Sequence, residues 1–308
     1  MFVVLTGGTG GAKLIEGLSH EIDPAQLTIV CNTGDDFVLH GLNISPDLDT
    51  IMYTLGGLSD PERGWGIQDD TFTVLAQLGK LGGDTWFKLG DKDIATHITR
   101  TRLLRTGLKL SDVTNRLRND LNIKARILPM SDDCIATRVE TSEGEISFQE
   151  YFVRQRWQTD VKNVFYAGVK ESQPAPGVLE AIGAAAGIII CPSNPITSIG
   201  PILAVPGIRD KLNESTVPTV GVSPMIGGSA ISGPAHKLMA AQGMEPSVVG
   251  VAKNYAAILT WFMVDGDDEH FQHQLETSEM KVFVTAIRMN SLADKRRLAR
   301  EVLALLDK

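Results

Sequence analysis

Only three cysteines, Cys31, Cys134 and Cys191, occur in the 308-residue chain. They are odd in number and far apart, so they build neither a disulfide framework nor a thiolate metal site. Basic residues are also in deficit: 29 Lys and Arg stand against 37 Asp and Glu, a formal net charge of -8. That balance argues against nucleic acid or an anionic membrane as the main partner. No apolar run approaches the roughly 18 residues of a membrane span. The first residues enter an apolar strand, with no basic segment and apolar leader core, so a soluble, cytoplasmic protein is expected. Repeats and low-complexity segments are missing, and no Ser-His-Asp or Cys-His nucleophile pattern stands out. What is present is enough for a sizeable core: 43% of residues are hydrophobic and the mean hydropathy is near zero.

The apolar pattern alternates between strands and helices. Phe2–Leu5 and Leu27–Cys31 read as strands buried on both faces, joined by a helix over Ala12–Leu18. This βαβ unit predicts a parallel sheet. Helices are expected over Thr50–Leu58, Asp70–Leu81, Ile94–Leu104 and Leu110–Leu121. A strand follows at Ala125–Pro129, then a hairpin pairing Ala136–Glu140 with Ile146–Phe148. Later strands are expected at Gly187–Cys191, Thr219–Val222, Gly250–Ala252 and Val282–Ala286, and a last helix at Ala293–Leu306. Strand after strand stops at a small, polar loop, as a ligand crevice at the carboxyl edge of a parallel sheet requires.

The first of these loops reads GGTGGAKL. Gly7, Gly8, Gly10 and Gly11 crowd a strand-to-helix turn, where backbone N–H groups and the helix dipole face an anion, usually a phosphate. It is not a Walker loop, because Leu14 follows Lys13 where Ser or Thr is required. It is also an imperfect dinucleotide fingerprint, with Lys13 in the third glycine's place and no clean ribose-binding acid downstream. Phosphate binding outweighs a plain tight turn.

Four further stretches carry chemistry. NTGDDFVLHGLNISPDLDTI holds Asp35, Asp36, Asp47 and Asp49; Asp36 and Asp49 could hold a divalent cation beside phosphate oxygens. Asp47 reads as the cap of the following helix. In WFKLGDKDIATHI, Lys88 could reach a phosphate or ring oxygen. Lys92 and Asp93 read as a solvated face, and His97 stands one helical turn from Asp93 with a structural and a functional reading evenly weighed. In CPSNPITSIGPIL, Ser193 and Asn194 suit phosphate or base-edge contacts, while Cys31 and Cys191 read as packed thiols. In SPMIGGSAISGPAHKLM, a second glycine-serine turn ending at His236-Lys237 could clamp another phosphate or close over substrate.

Taken together and in order, GGTGGAKL, NTGDDFVLHGLNISPDLDT, GWGIQDDTF, FKLGDKDIATH, LPMSDD, PSNPITSIGPIL and the SP…SGPAHKLM block resemble the 2-phospho-L-lactate transferases of coenzyme F420 biosynthesis. The matching segments run from Leu5 to Met239; ISPDLDT, KLGDKD and PSNPITSIGP are its most specific parts. The loop departs slightly, with Ala12 where proline is common, and residues 250–308 carry no shared motif. The resemblance implies a single α/β domain over 1–308, with a Rossmann-like parallel sheet core flanked by helices, an inserted mainly helical region at roughly 50–122, and a homodimer. It implies transfer of a phospho-three-carbon acid from its guanosine diphosphate-linked donor to the ribityl hydroxyl of the deazaflavin Fo. GMP leaves and magnesium assists. Phospholactate, phosphoenolpyruvate and phosphoglycerate remain open as the group transferred.

By position, Asp49 and Lys88 match the deazaflavin-binding residues. Gly8, Thr9, Gly10, Gly11, Lys13, Asn32, Ser193 and Asn194 fall on the nucleotide side. Asp49 would accept the hydroxyl proton or hold the hydroxyl in line, and Asp36 with Asp49 would hold the metal. A non-catalytic nucleotide-sugar-binding regulator is the rival reading, opposed by the aspartate-rich loop. A nicotinamide oxidoreductase is opposed by the broken fingerprint.

Overall fold

The computed structural model describes residues 1–231 and 233–308; Ser232, within the glycine-serine block, lies outside the described residues. Seven strands form the central sheet: β1 (Phe2–Thr6), β2 (Leu27–Cys31), β3 (Arg126–Pro129), β4 (Gly187–Ile190), β5 (Thr219–Val222), β6 (Trp261–Val264) and β7 (Lys281–Val284). Their spatial order is β7-β6-β5-β4-β1-β2-β3, and every neighbouring pair is parallel. The parallel α/β sheet expected from the sequence is present. Strand order reverses between β1 and β4, the switch point at whose carboxyl edge such sheets place a ligand crevice.

Both faces are covered. Val3 and Leu5 pack into one apolar layer and Val4 into the other, which is why β1 reads as a continuous apolar run rather than an alternating one. Helix α1 (Gly8–Glu21) and the C-terminal helix Leu292–Leu306 lie together on the Val4 side. Between β2 and β3 the chain makes a small hairpin (Phe37–Leu39 with Leu42–Ile44) and four helices: α2 (Pro46–Leu55), α3 (Thr73–Lys80), α4 (Asp91–Arg105) and α5 (Leu110–Asp120). No described helix is long and apolar enough to cross a membrane.

Several expectations are corrected. The apolar stretch at Gly250–Ala252 is part of a helix, Val248–Tyr255, because the Ser247 hydroxyl accepts from the N–H groups of Val249 and Gly250 and starts one there. The strand of that region is β6, eleven residues on from Gly250. The hairpin after β3 pairs Ala136–Thr141 with Gly144–Ser147, and Val161–Ala167 adds a third antiparallel strand that its mixed polarity concealed. Helix α2 begins four residues earlier than expected, with Ser45 at the cap position and Pro46 opening its first turn. Asp47 is therefore inside the helix and is not its cap.

Candidate active site

The glycine-dense turn is the first turn of α1, whose cap is Gly7 and whose first residue, Gly8, has φ +68°. Its leading N–H groups lack intrahelical partners and face the crevice. The glycines are also demanded by packing. A Cβ on Gly10 would come 2.7 Å from the Pro192 carbonyl oxygen, and one on Gly11 would overlap the Thr6 hydroxyl. The loop after β4 is therefore pressed against the helix start. Ser193 fastens it there: its hydroxyl donates to Gly7 O (2.7 Å) and accepts from Gly7 N–H (3.3 Å). The hydroxyl expected to meet phosphate thus clasps the phosphate loop. Asn194 Oδ1 accepts from the N–H groups of Ile196 and Thr197, closing the turn. Lys13 is exposed on the second turn of α1.

Asn32, at the end of β2, ties three segments together. Its Nδ2 donates to Asp47 Oδ2 (2.9 Å) and Thr197 O (3.0 Å), and its Oδ1 accepts from Gly34 N–H (2.8 Å). Asp47 points back at the glycine turn, and a Cβ on Gly7 would lie 2.5 Å from its Oδ2. Burial raises the Asp47 pKa to about 6, against hydrogen bonds from Asn32 and the Gly8 N–H.

Asp35 and Asp36 follow. Burial pushes both carboxyls well above the usual range, with Asp47 adding to the rise for Asp35. The Ser45 hydroxyl donates to Asp36 Oδ2 (2.6 Å), but Asp36 Oδ1 and Asp35 Oδ1 are buried with no partner among the described residues. Thr33 and Thr137 leave their hydroxyls in the same condition. Unpaired buried oxygens on raised-pKa carboxyls fit a cation or a proton donor.

Asp49, on α2, lies in a different arrangement. Both its oxygens accept from the Arg100 guanidinium of α4, at 3.0 Å from Nη1 to Oδ2 and through a shorter contact from Nη2 to Oδ1. His97 Nδ1 stands 3.6 Å from Asp49 Oδ2, and its Nε2 is 3.2 Å from Asp93 Oδ1. The Tyr53 hydroxyl donates to the same Asp93 oxygen at 2.6 Å. Arg100 is 1% exposed and Asp49 4%. Burial opposes the Arg100 charge, but Asp49 outweighs it and lifts the pKa above the ordinary guanidinium value. Burial likewise opposes the Asp93 carboxylate, yet His97 and Tyr53 hold it below its usual range. Asp93 is therefore buried, contrary to the solvated face expected of it, while exposed Lys92 conforms.

Asp49, Asp93 and His97 bring ligand atoms within 4.8 Å of one another. Arg100 already fills that cluster, lying 3.2 Å from His97 Nδ1, so a divalent cation would meet a fixed positive charge. Asp36 also feels the Arg100 charge, but it and Asp35 each keep a buried oxygen with no partner among the described residues. Arg100 and Tyr53 escaped the sequence reading, although Asp93, His97 and Arg100 repeat at i, i+4 and i+7 and so mark one polar face of α4.

Lys88 is exposed. The residues before it, Trp86 and Phe87, pack on Phe37 with ring centroids 5.8 and 4.9 Å apart, which brings the Lys88 segment to the neighbour of Asp36. Cys31 and Cys191 are buried, with their thiol pKa values raised by burial, Cys191 to about 12, as packed thiols should be.

The family model described as 2-phospho-L-lactate transferase CofD matches residues 2–302. The phosphoenolpyruvate transferase of Streptomyces griseus is 43% identical over 311 residues, covering 99% of this chain and 98% of its own. The 2-phospho-L-lactate transferase of Methanosarcina mazei is 46% identical over 266 residues, covering 86% and 87%. A crystal structure of a UPF0052 family member from Bacillus halodurans shares the fold, with a TM-score of 0.63, 19% identity and 98% of each chain covered.

Proposed function

The chain belongs to the 2-phospho-L-lactate transferase family, and on that basis we propose that it transfers a phospho-three-carbon acid from a guanosine diphosphate-linked donor to the ribityl hydroxyl of the deazaflavin Fo, releasing GMP. The observation that carries this reading is the glycine turn heading α1, which Asp47 meets, together with the buried oxygens of Asp35 and Asp36 on the loop leaving the neighbouring strand β2, left without a partner among the described residues. A diphosphate brings the negative charge that the helix start favours.

Gly8, Thr9, Gly10 and Gly11 would bind the diphosphate through the backbone, with exposed Lys13 adding charge. Ser193, Asn194 and Asn32 act on the nucleotide side by fixing the loops. Asp36 would hold a magnesium ion, with Asp35 beside it; when bound, that ion would neutralise charge developing on the phosphoryl oxygens. Asp49 was the other expected ligand, but its oxygens are committed to Arg100. In this reading Asp49 orients the acceptor hydroxyl in line with the phosphorus, and Lys88 holds the deazaflavin from the other side. The acceptor alcohol is a weak nucleophile, so holding it in line and easing the loss of its proton are the tasks this carboxylate-rich loop would perform.

Relatives of similar identity bear both the phosphoenolpyruvate and the phospholactate name. Mass spectrometry of the Fo adduct formed from each guanylated donor identifies the acid transferred. Absence of any adduct with all three donors would overturn the reading.

A further inference from the structure

A stack of three aromatic rings ends at the protein surface. Phe148 stacks on Phe152 with centroids 5.4 Å apart and planes 15° apart, and Phe152 stacks on Trp157 at 5.3 Å and 19°. Phe148 is buried, whereas Trp157 is 38% exposed. Trp157 lines a surface cavity of 560 Å³ together with Arg156, Gln158, His236 and Lys237. Three basic side chains around one indole are notable on a chain of net charge -8.

The geometry is held deliberately. Arg156 and Trp157 have φ of 49° and 48°, two consecutive non-glycine residues in the left-handed region. Such conformations are strained for residues with a side chain and persist only where surrounding contacts impose them. Here Trp157 N–H donates to Tyr151 O (2.9 Å), and Lys237 Nζ donates to Trp157 O (3.1 Å). Lys237 spends one donor on this clasp and keeps two. The strained turn leaves the indole at the end of the stack, with Arg156 and Lys237 beside it.

We propose that this cavity binds a planar aromatic ring that carries a phosphate: the ring extends the stack on Trp157, and the phosphate meets Arg156, His236 and Lys237. Its lining shares no residue with the β1–β4 crevice, so it is a second site and does not rest on the transferase reading. A nucleoside phosphate and a phosphorylated flavin-like ring both have this chemistry. Stacking on an aromatic side chain is sequence-tolerant but requires a ring.

The test is calorimetric titration of the full chain with GMP, with FMN and with inorganic phosphate, alongside transferase turnover. The expected result is an equivalent of GMP or FMN, additional to any GMP held at the α1 turn, whose affinity falls roughly tenfold or more in Trp157→Ala and Arg156→Ala. Trp157→Phe should retain it, and turnover should be unchanged in all three variants. Tighter binding of GMP than FMN assigns a nucleotide, and the reverse assigns the tricyclic ring. The proposal is overturned if Trp157→Ala binds as the parent does or if inorganic phosphate competes as well as GMP. Turnover falling with the lost equivalent would likewise overturn it, by making the cavity part of the crevice.

Discussion

A guanidinium buried as deeply as that of Arg100 survives only beside its own counter-charge, and Asp49 supplies it with both oxygens. Removing one partner of such a pair strands the other. Arg100→Met should therefore destabilise the protein by about 3–5 kcal/mol, read from urea midpoints. Arg100→Lys restores charge without the planar fork, so it should recover part of the stability while KM for Fo stays raised. An unchanged KM would remove Asp49 from the acceptor site. Asp36 calls for a different test, because its open oxygen is available for chemistry. Asp36→Asn should lower turnover by roughly 10²–10⁴-fold and raise the magnesium concentration needed for half-maximal rate. A turnover equal to the parent's in EDTA would exclude a metal-assisted reaction.

Elements hold one another through their ends. Asp70 precedes α3 but caps α4, accepting from Lys92 and Asp93 N–H, while Asp91 opens α4 but caps α3, accepting from Thr73 and Val74 N–H. This exchange explains why α3 starts at Thr73 and not at Asp70: the carboxylate is drawn across to its neighbour. Helix α1 and the C-terminal helix approach so closely that a Cβ on Gly17 would overlap the Lys295 carbonyl. Gly17→Ala should force them apart and cost about 1–3 kcal/mol, visible as a lowered Tm. The strands β1, β2 and β5 were legible because runs such as LTIVC and TVGV are buried on both faces. The Gly250–Ala252 error arose because three apolar residues carry no period. The acidic loop announced itself by composition, but the Asp49–Arg100 pair spans 51 positions. No local pattern encodes a contact across that separation. Asp47 misled for the same reason: its partners, Asn32 and the glycine turn, are remote in sequence.

Across the whole molecule, two sets of carboxylates respond oppositely to pH. Asp60, Asp91, Asp294 and Glu21 have lowered pKa values, through hydrogen bonds to backbone N–H groups, hydroxyls or arginine. Their contribution is present above the unfolded pKa and is lost as pH falls through the folded one. Asp35, Asp36 and Asp47 are raised by burial, so the unfolded chain releases their protons first and stability falls as pH rises. For Asp47 the window runs from its ordinary value of 3.8 to about 6. Asp47→Asn keeps an acceptor for Asn32 and removes the buried charge. Its stability relative to the parent should therefore climb between pH 4 and 6 and then level off, as followed by urea unfolding across that range. A difference independent of pH would show that Asp47 is ionised without penalty.

The contact between Gly17 and the Lys295 backbone, reinforced by ion pairs from Lys295 to Glu16 and from Arg296 to Glu21 at 2.6 Å each, sets the order of events during synthesis. Helix α1 leaves the ribosome early, yet the surface that receives it is translated some 275 residues later. The first strand likewise waits for β4, 185 residues downstream, before both its edges are paired. A nascent chain carrying only the first half must therefore hold an apolar helix and an unpaired central strand in water, the kind of state chaperones protect. Chains halted at residue 290 should bind chaperone and aggregate, while release of the last helix should permit abrupt, cooperative closure.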